Sequence, residues 1–375
     1  MSARRRLGGG IALRARRWAA ARGPQRSRVA RALRAPRGTA TLPETGQIIA
    51  RYHADPEGAA VSPPVDLPDV SVVIPAYNTE RWLDDCLSSV RAQTGASVEI
   101  LCVNDGSTDR TRAVAERHRR ADGRVRIIDQ PNSGQSVGRN AGLDAARGRY
   151  VVYVDSDDFW VGDHLADLVR RADRDRLDVL LFDGIPFRDG AIDEGVWRRY
   201  AVYYVRARRY SRPRTGPRMM ADMRRNGDYL PHLGMFLSRT DFVRSTGIRF
   251  IPGIVHQDNP YTFALLLRAT RSAHLRLCFY ARRLRPGSAM TDLRATASAK
   301  GYYVSLVAMT RELARHPAQV ATQAGIVDVV RAVERAALAQ LGRVSSDMLD
   351  DIRACEPDSD ARAIFDRLRT RSEAD

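Results

Sequence analysis

The sequence predicts an open α/β fold built on a largely parallel sheet, and three observations predict it. Short runs made mostly of apolar residues recur at residues 70–75 (VSVVIP), 98–103 (VEILCV), 125–128 and 150–154 (YVVYV). Such runs, too short for helices, suit strands covered on both faces. Segments of helical period separate them, and strand–helix alternation is the pattern of a parallel sheet flanked by helices. Polar clusters follow three of the runs: Ala76-Tyr77-Asn78, Asn104-Asp105-Gly106-Ser107 and Asp155-Ser156-Asp157-Asp158. Open α/β sheets bind ligands in the crevice beyond the carboxyl ends of their strands, which is where these clusters lie.

The intervening helices follow in order. Residues 81–93 place Trp82, Leu83, Cys86, Leu87 and Val90 on one face. Residues 108–119 form a second helix with Ser107 or Asp109 as cap, and residues 136–147 a third. Pro56, Pro63, Pro64 and Pro68 mark residues 54–68 as a linker, so order begins near Asp69. From Thr296 onward the pattern is helical, with amphipathic stretches at 310–316 and 329–342 and no visible chemistry. The expected organisation is a basic arm and linker over 1–68, an α/β domain over 69–295 and a helical extension over 296–375. The domain divides into a ligand-binding half, 69–163, and a second half, 164–295.

The formal charge is +17 in 375 residues, and Lys300 is the single lysine. The charge reads either as an anionic partner (nucleic acid, membrane or phosphorylated substrate) or as an arginine-rich composition with a basic tail. Residues 1–38 contain no Asp or Glu. This stretch is a disordered arm, a helix lying on an anionic membrane, or sequence ahead of the true start. It lacks the apolar core of a secretory signal. No run approaches the roughly 18 apolar residues of a membrane span. The expected location is the cytoplasm, with peripheral contact to the inner face of the cell membrane through the arm. No CxxC pair exists, so neither a zinc site nor a disulfide framework is indicated, and Cys86 and Cys102 read as buried free thiols. The absence of GxGxxG at the first strand–helix turn counts against a dinucleotide oxidoreductase.

The run 150–154 ends in three carboxylates within four positions. In an extended chain residues two apart point the same way, so Asp155 and Asp157 face one ligand if strand geometry persists. Mg²⁺ or Mn²⁺ takes one or two such carboxylates and completes its shell with phosphate oxygens. A bound cation also relieves the repulsion among the three. The alternative is a solvated turn in which an Asp caps the helix beginning near Val161.

Taken in order, SVVIPAYN (71–78), CLSSVRAQT (86–94), EILCVNDGSTD (99–109), NSGQSVGRNAG (132–142) and YVVYVDSDD (150–158) resemble a family 2 glycosyltransferase with the GT-A fold. The resemblance is strong over 70–163. It weakens through GIRF (247–250), VHQD (255–258) and RLRPGS (283–288), which are like segments of bacterial capsule, exopolysaccharide and wall-polymer transferases. It implies metal-dependent, inverting transfer of a sugar from a nucleoside diphosphate, of UDP type, to a saccharide, lipid-linked or polymer acceptor. By resemblance Pro75, Tyr77, Asn78 and Asp105 line the base and ribose pocket, and Arg139 lies near the nucleotide. Asp155 faces the ribose or metal, and Asp157 binds Mn²⁺ or Mg²⁺. Arg283, Arg285 and Ser288 approach the phosphates or acceptor.

Inverting displacement needs one base on the acceptor side. Asp258 takes that role by resemblance, with His256 as a second candidate. The usual Glu-Asp pair is Gln257-Asp258 here, and loss of the acidic neighbour is expected to lower the pKa of Asp258. Asp258 or Asn259 also reads as the N-cap of a helix whose first residue is Pro260. Phe159 and Trp160 read as core or as a wall of the acceptor site. The basic, tyrosine-rich segment 189–225 is expected to face an anionic acceptor in preference to nucleic acid. The rival to an enzyme is an impaired GT-A domain that holds a nucleotide or polymer, and Gln257 is its foothold.

Overall fold

A computed structural model of the chain describes residues 67–287, 295–323 and 325–374. The basic arm, most of the linker and Ser288 lie outside the described residues. Strand β1 (Val70–Ala76) and helix α1 (Leu83–Arg91) are followed by β2 (Val98–Asp105), α2 (Thr111–Ala121), β3 (Val125–Gln130), α3 (Gln135–Ala145) and β4 (Tyr150–Tyr153). Next come β5 (Phe159–Trp160), α4 (Leu165–Asp175), β6 (Val179–Arg188), α5 (Glu194–Tyr200), α6 (Gly216–Asn226), β7 (Phe236–Arg239), α7 (Thr240–Thr246), α8 (Asp258–Arg268) and β8 (Ser272–Leu284). Helices alone follow: α9 (Ala295–Arg315), α10 (Pro317–Thr322), α11 (Gly325–Leu341), α12 (Ser346–Ala354) and α13 (Ser359–Ala374).

The strands form one sheet in the order β3-β2-β1-β4-β7-β6-β8-β5. The first four are parallel neighbours, with Val70 opposite both Val98 and Tyr150. Strand β7 runs antiparallel to β4 and β6, β6 and β8 are parallel, and β5 is antiparallel to β8. The apolar runs are covered on both faces, because every residue of β1, β2 and β4 is buried. Each apolar side chain so enclosed contributes about 1.5–3 kcal/mol relative to exposure. Cys86 and Cys102 are buried free thiols. The α1 periodicity buries Leu83, Cys86, Leu87 and Val90 against the sheet. Helix α3 lies close on β1 because Gly142 has no side chain there; a Cβ would stand 2.2 Å from Val73 Cγ1. That approach brings Arg139, one turn earlier, to the carboxyl end of the sheet.

Strand β4 stops at Tyr153, and the chain then turns, with the Asp158 N–H donating to the Asp155 carbonyl at 2.9 Å. Extended geometry therefore does not persist through Asp155 to Asp157. Phe159 and Trp160 pair with Ala281 and Tyr280 of β8. Trp160 is fully buried and stacks on Phe279 at 4.7 Å, while Phe159 packs on Phe187. Both are core, the first of their two readings, and not an acceptor wall. Among the described residues no helix is long and apolar enough to cross a membrane.

Candidate active site

The turn after β4 separates its carboxylates by partner. Asp155 accepts from Arg139 Nη2 on Oδ1 and from Arg282 Nη1 on Oδ2, each at 2.7 Å. Asp158 is fully buried; its Oδ2 accepts from Arg282 Nη1 and the Tyr280 hydroxyl, both at 2.5 Å, and its Oδ1 from the Arg283 N–H at 2.8 Å. Asp157 Oδ2 accepts from Arg285 Nε and Nη2 at 3.2 and 3.1 Å. Strand alternation in β8 explains the division: Tyr280 and Arg282 lie on one face, Arg283 and Arg285 on the other. The converging pair is thus Asp155 and Asp158, not Asp155 and Asp157.

These partners set the charges. Burial works to raise Asp155, but Arg139 and Arg282 outweigh it and hold the carboxyl well below the usual range. Asp158, deeper in, is pushed up to about 7 by burial, against the pull of Arg282. His232 faces the same place: Asp155, Asp158 and His232 bring one ligand atom each within 4.8 Å of one another. Burial and Arg282 drive His232 down to about 3, so it is neutral. Its Nδ1 accepts from the Gly234 N–H at 3.2 Å, which puts the proton on Nε2.

This trio does not fit a metal ion. Arg282 already supplies the cation between Asp155 and Asp158, and the His232 tautomer leaves no lone pair on Nε2. Asp157 does fit. Among the described residues its Oδ1 has no hydrogen-bond partner, and one free carboxylate oxygen beside a diphosphate is enough for Mg²⁺ or Mn²⁺.

Arg283 departs from the expected phosphate contact. Its Nη1 donates to Asp189 at 3.0 Å, its Nη2 to Asp85 at 2.8 Å and its Nε to the Asp157 carbonyl at 2.7 Å. It braces the turn from within. Arg285 lies nearer the surface, with its guanidinium 3.8 Å from the Trp82 ring centre.

The expected nucleotide pocket is built by loop-to-loop bonds. Asp105 accepts from Gln130 and the Ser133 N–H on Oδ1 and from the Gly134 N–H on Oδ2, so it shapes the Gly-rich turn. Asn78, in the left-handed region at φ 50°, accepts from the Thr108 N–H at 2.8 Å and ties the first loop to the second. Tyr77 beside it is 46% exposed, whereas Pro75 is buried in β1 under Gly138.

Asp258 opens α8, with Gln257 as N-cap and no side-chain cap bond, so the expected capping by Asp258 or Asn259 is not what the carboxylate does. Pro260 stands at the third helical position instead of the first. Burial raises Asp258 to about 6; Arg139 pulls it down and Asp155 pushes it up. The expected weakening by Gln257 is thus outweighed by burial. Gln257 belongs to this arrangement: with its amide turned so that both ends are satisfied, its oxygen accepts from Arg139 Nη1 at 2.6 Å. Arg139 is 3% exposed and touches both Asp155 and Gln257, so it links the DSDD turn to the loop ahead of α8.

The helical extension holds that loop. His256 adopts φ 61°, a strained state for a residue with a side chain. Its Nε2 meets the Ser298 hydroxyl at 2.9 Å, and its ring stacks on Tyr302 at 4.0 Å. Gly301 lets α9 come this close, because a Cβ there would lie 2.3 Å from the Val255 carbonyl. Burial lowers His256 to about 4, so it is a weaker base than Asp258.

Residues 71–240 match the model of glycosyl transferase family 2. That stretch of the chain is a domain of this family. The glycosyltransferase EpsJ of Bacillus subtilis, itself described as uncharacterized, is 30% identical over 225 residues, covering 59% of this chain and 63% of EpsJ. The succinoglycan biosynthesis protein ExoO of Rhizobium meliloti is 39% identical over 135 residues, covering 34% of this chain and 38% of ExoO. The chain therefore spans less than two thirds of the length of either relative. In fold it is similar to residues 1–349 of S. aureus TarS, solved in complex with UDP-GlcNAc, with a TM-score of 0.54 and 21% identity over 82% of this chain and 91% of that one. The sheet with its flanking helices is accordingly the GT-A arrangement.

Sequence reasoning missed Arg282, Tyr280, His232 and the contribution of α9 to this family 2 site. Period-two alternation through Tyr280-Ala281-Arg282-Arg283 was the available signal for the first two. Nothing local marks His232 or Ser298.

Proposed function

We propose that the chain transfers a sugar from a nucleoside diphosphate donor, of UDP type, to an acceptor hydroxyl with inversion at the anomeric carbon. The setting is assembly of a cell-surface polysaccharide or glycolipid. One observation carries the reading: the buried Arg139 guanidinium touches Asp155 on one side and Gln257 on the other. Donor turn and candidate base are thereby held to one centre. The donor seen with TarS and the biosynthetic role in the name of ExoO support the substrate class.

In this reading Tyr77 stacks on the base, and Asp105 offers the remaining lone pair of Oδ2 to a ring N–H. Pro75 backs the pocket, and Asn78 fixes the loops around it. Arg285 meets the diphosphate, and Arg139 keeps Asp155 charged and in place. Asp157 would hold a divalent ion, Mn²⁺ or Mg²⁺, which would supply positive charge to the departing diphosphate. Asp258 takes the acceptor proton, and a pKa of about 6 leaves it ionised yet basic at neutral pH. Arg139 and Gln257 hold the base loop from one side, Ser298 and Tyr302 from the other.

The test is calorimetric titration of UDP into the full chain with Mn²⁺ and then with EDTA. Binding that needs the metal and disappears in Asp157→Asn is the expected outcome. Metal-independent binding, or binding unchanged by Asp157→Asn, removes the ion from that carboxylate. Absence of UDP binding redirects the donor to GDP or dTDP, or returns the chain to the rival reading of an impaired domain.

A further inference from the structure

A row of aromatic rings runs from the surface to the carboxylate turn. Helix α5 and the turn after it deliver Tyr200, Tyr203 and Tyr204. Tyr203 contacts Tyr200 at 5.5 Å and Tyr204 at 5.0 Å between ring centres. Tyr204 contacts His232 at 5.3 Å, and His232 contacts Tyr280 at 5.0 Å. Tyr280 ends the row with its hydroxyl on Asp158. Tyr203 is 39% exposed and Tyr204 only 1%, so the row begins at solvent and ends in the interior. Tyr302 stands on the other side, stacked on His256 two residues before Asp258. Asp258 acts electrostatically on both Tyr203 and Tyr302, raising each phenol beyond what burial does.

The hydroxyls are the second observation. Those of Tyr150, Tyr210, Tyr280 and Tyr303 are hydrogen-bonded within the protein. Among the described residues the hydroxyls of Tyr200, Tyr203 and Tyr302 make no hydrogen bond. Three free phenols on flat apolar rings, beside a proton acceptor, suit a ligand with one apolar face and several hydroxyls. A pyranose ring has both. An acyl or prenyl chain covers the rings but strands the three hydroxyls, each at a cost of about 1–3 kcal/mol. A bare polyol phosphate needs a free cation. The guanidiniums acting on this row, Arg206 and Arg282, are already paired with Asp183 and with Asp155 and Asp158.

We propose that Tyr200, Tyr203 and Tyr302 form the acceptor subsite, and that the acceptor presents a pyranose ring there, its hydroxyl directed to Asp258. This rests on the transferase reading above and names the acceptor class for the same site. The experiment is saturation-transfer NMR on the full chain, with and without UDP and Mn²⁺. The probes are methyl glucoside, methyl galactoside and methyl mannoside, with glycerol phosphate as comparator. The expected result is saturation of the ring C–H protons of at least one hexoside. Its affinity falls about five- to tenfold in Tyr203→Ala and in Tyr302→Ala, and about two- to fivefold in Tyr203→Phe and Tyr302→Phe, where the stacking ring is kept and one hydroxyl hydrogen bond is lost. UDP affinity measured on the same samples reports that each variant is folded. Signal from glycerol phosphate with none from the hexosides overturns the proposal. So do hexoside affinities unchanged in both alanine variants. Failure to bind UDP strikes the donor reading instead, and the hexoside titrations still decide the subsite.

Discussion

Asp155 and Asp258 are the same residue type under the influence of the same guanidinium, and they end with opposite proton affinities. Asp155 has a second arginine, Arg282, at 2.7 Å, and its carboxyl lies well below the usual range. Asp258 has no ion pair among the described residues, and burial carries it up to about 6. The number of guanidiniums in contact, more than depth, separates a fixed charge from a proton acceptor. When environments push two carboxylates apart in this way, their chemical roles separate too.

The most severe way to break the contrast is Asp258→Asn. Transfer is expected to fall by about two to four orders of magnitude, with UDP affinity unchanged in calorimetry; retained turnover excludes Asp258 as base. The same variant has a second readout. A folded pKa raised above the unfolded value means that the native state binds more protons between about pH 4 and 6. Stability contributed by Asp258 is therefore lost as pH rises through that window. Asp258→Asn is expected to gain about 1–2 kcal/mol at pH 7 in urea unfolding, with no gain at pH 4.

Arg282→Met tests the other half of the comparison. It leaves Asp158 and one oxygen of Asp155 without their shared cation, and a loss of about 3–5 kcal/mol is expected. Adding Asp158→Asn should restore most of that loss, because the neutral amide no longer needs the guanidinium. If the double variant is as unstable as the single one, packing and not charge is what Arg282 supplies.

A gentler test moves the pH profile. With the wild-type chain kcat/KM is expected to fall tenfold per pH unit below about 6, while UDP binding persists to lower pH because Asp155 stays charged. Gln257→Glu gives the smallest effect. A carboxylate beside Arg139 competes for its charge and shifts the acid limb upward by less than about one unit. A downward shift contradicts the placement of Gln257 against Arg139.

Much of this was legible because the donor side is local. Strands β1 to β4, the helices between them and the polar loops at their ends follow from apolar runs and helical periods within one continuous stretch. Asp157, Tyr77 and Asp105 could be named on that basis and by resemblance. Apart from Arg139, the partners of the carboxylates were not legible, because they arrive from more than 100 residues away. Arg282 reaches Asp155 across 127 positions, and its choice over Arg283 depends on which face of β8 is turned inward. The pairing of Asp155 with Asp158 was hidden by a single turn hydrogen bond that ends the extended geometry. Segment 189–225 reads as a basic, tyrosine-rich stretch, but its sequence does not show that Tyr203 and Tyr204 lead through His232 to Tyr280. Its Arg206 is fully buried on Asp183.

The clamp on His256 bears on how the molecule comes into being. A growing chain that has emerged through Leu284 possesses every strand of the sheet, Asp155, Asp157 and Asp258 among them. It does not yet possess Ser298, Gly301 or Tyr302, which pin the loop ahead of α8 in its left-handed bend. Domains fold as units, so the loop ahead of α8 takes its final bend only when the chain has been made through α9, well after the residues of the β4 turn.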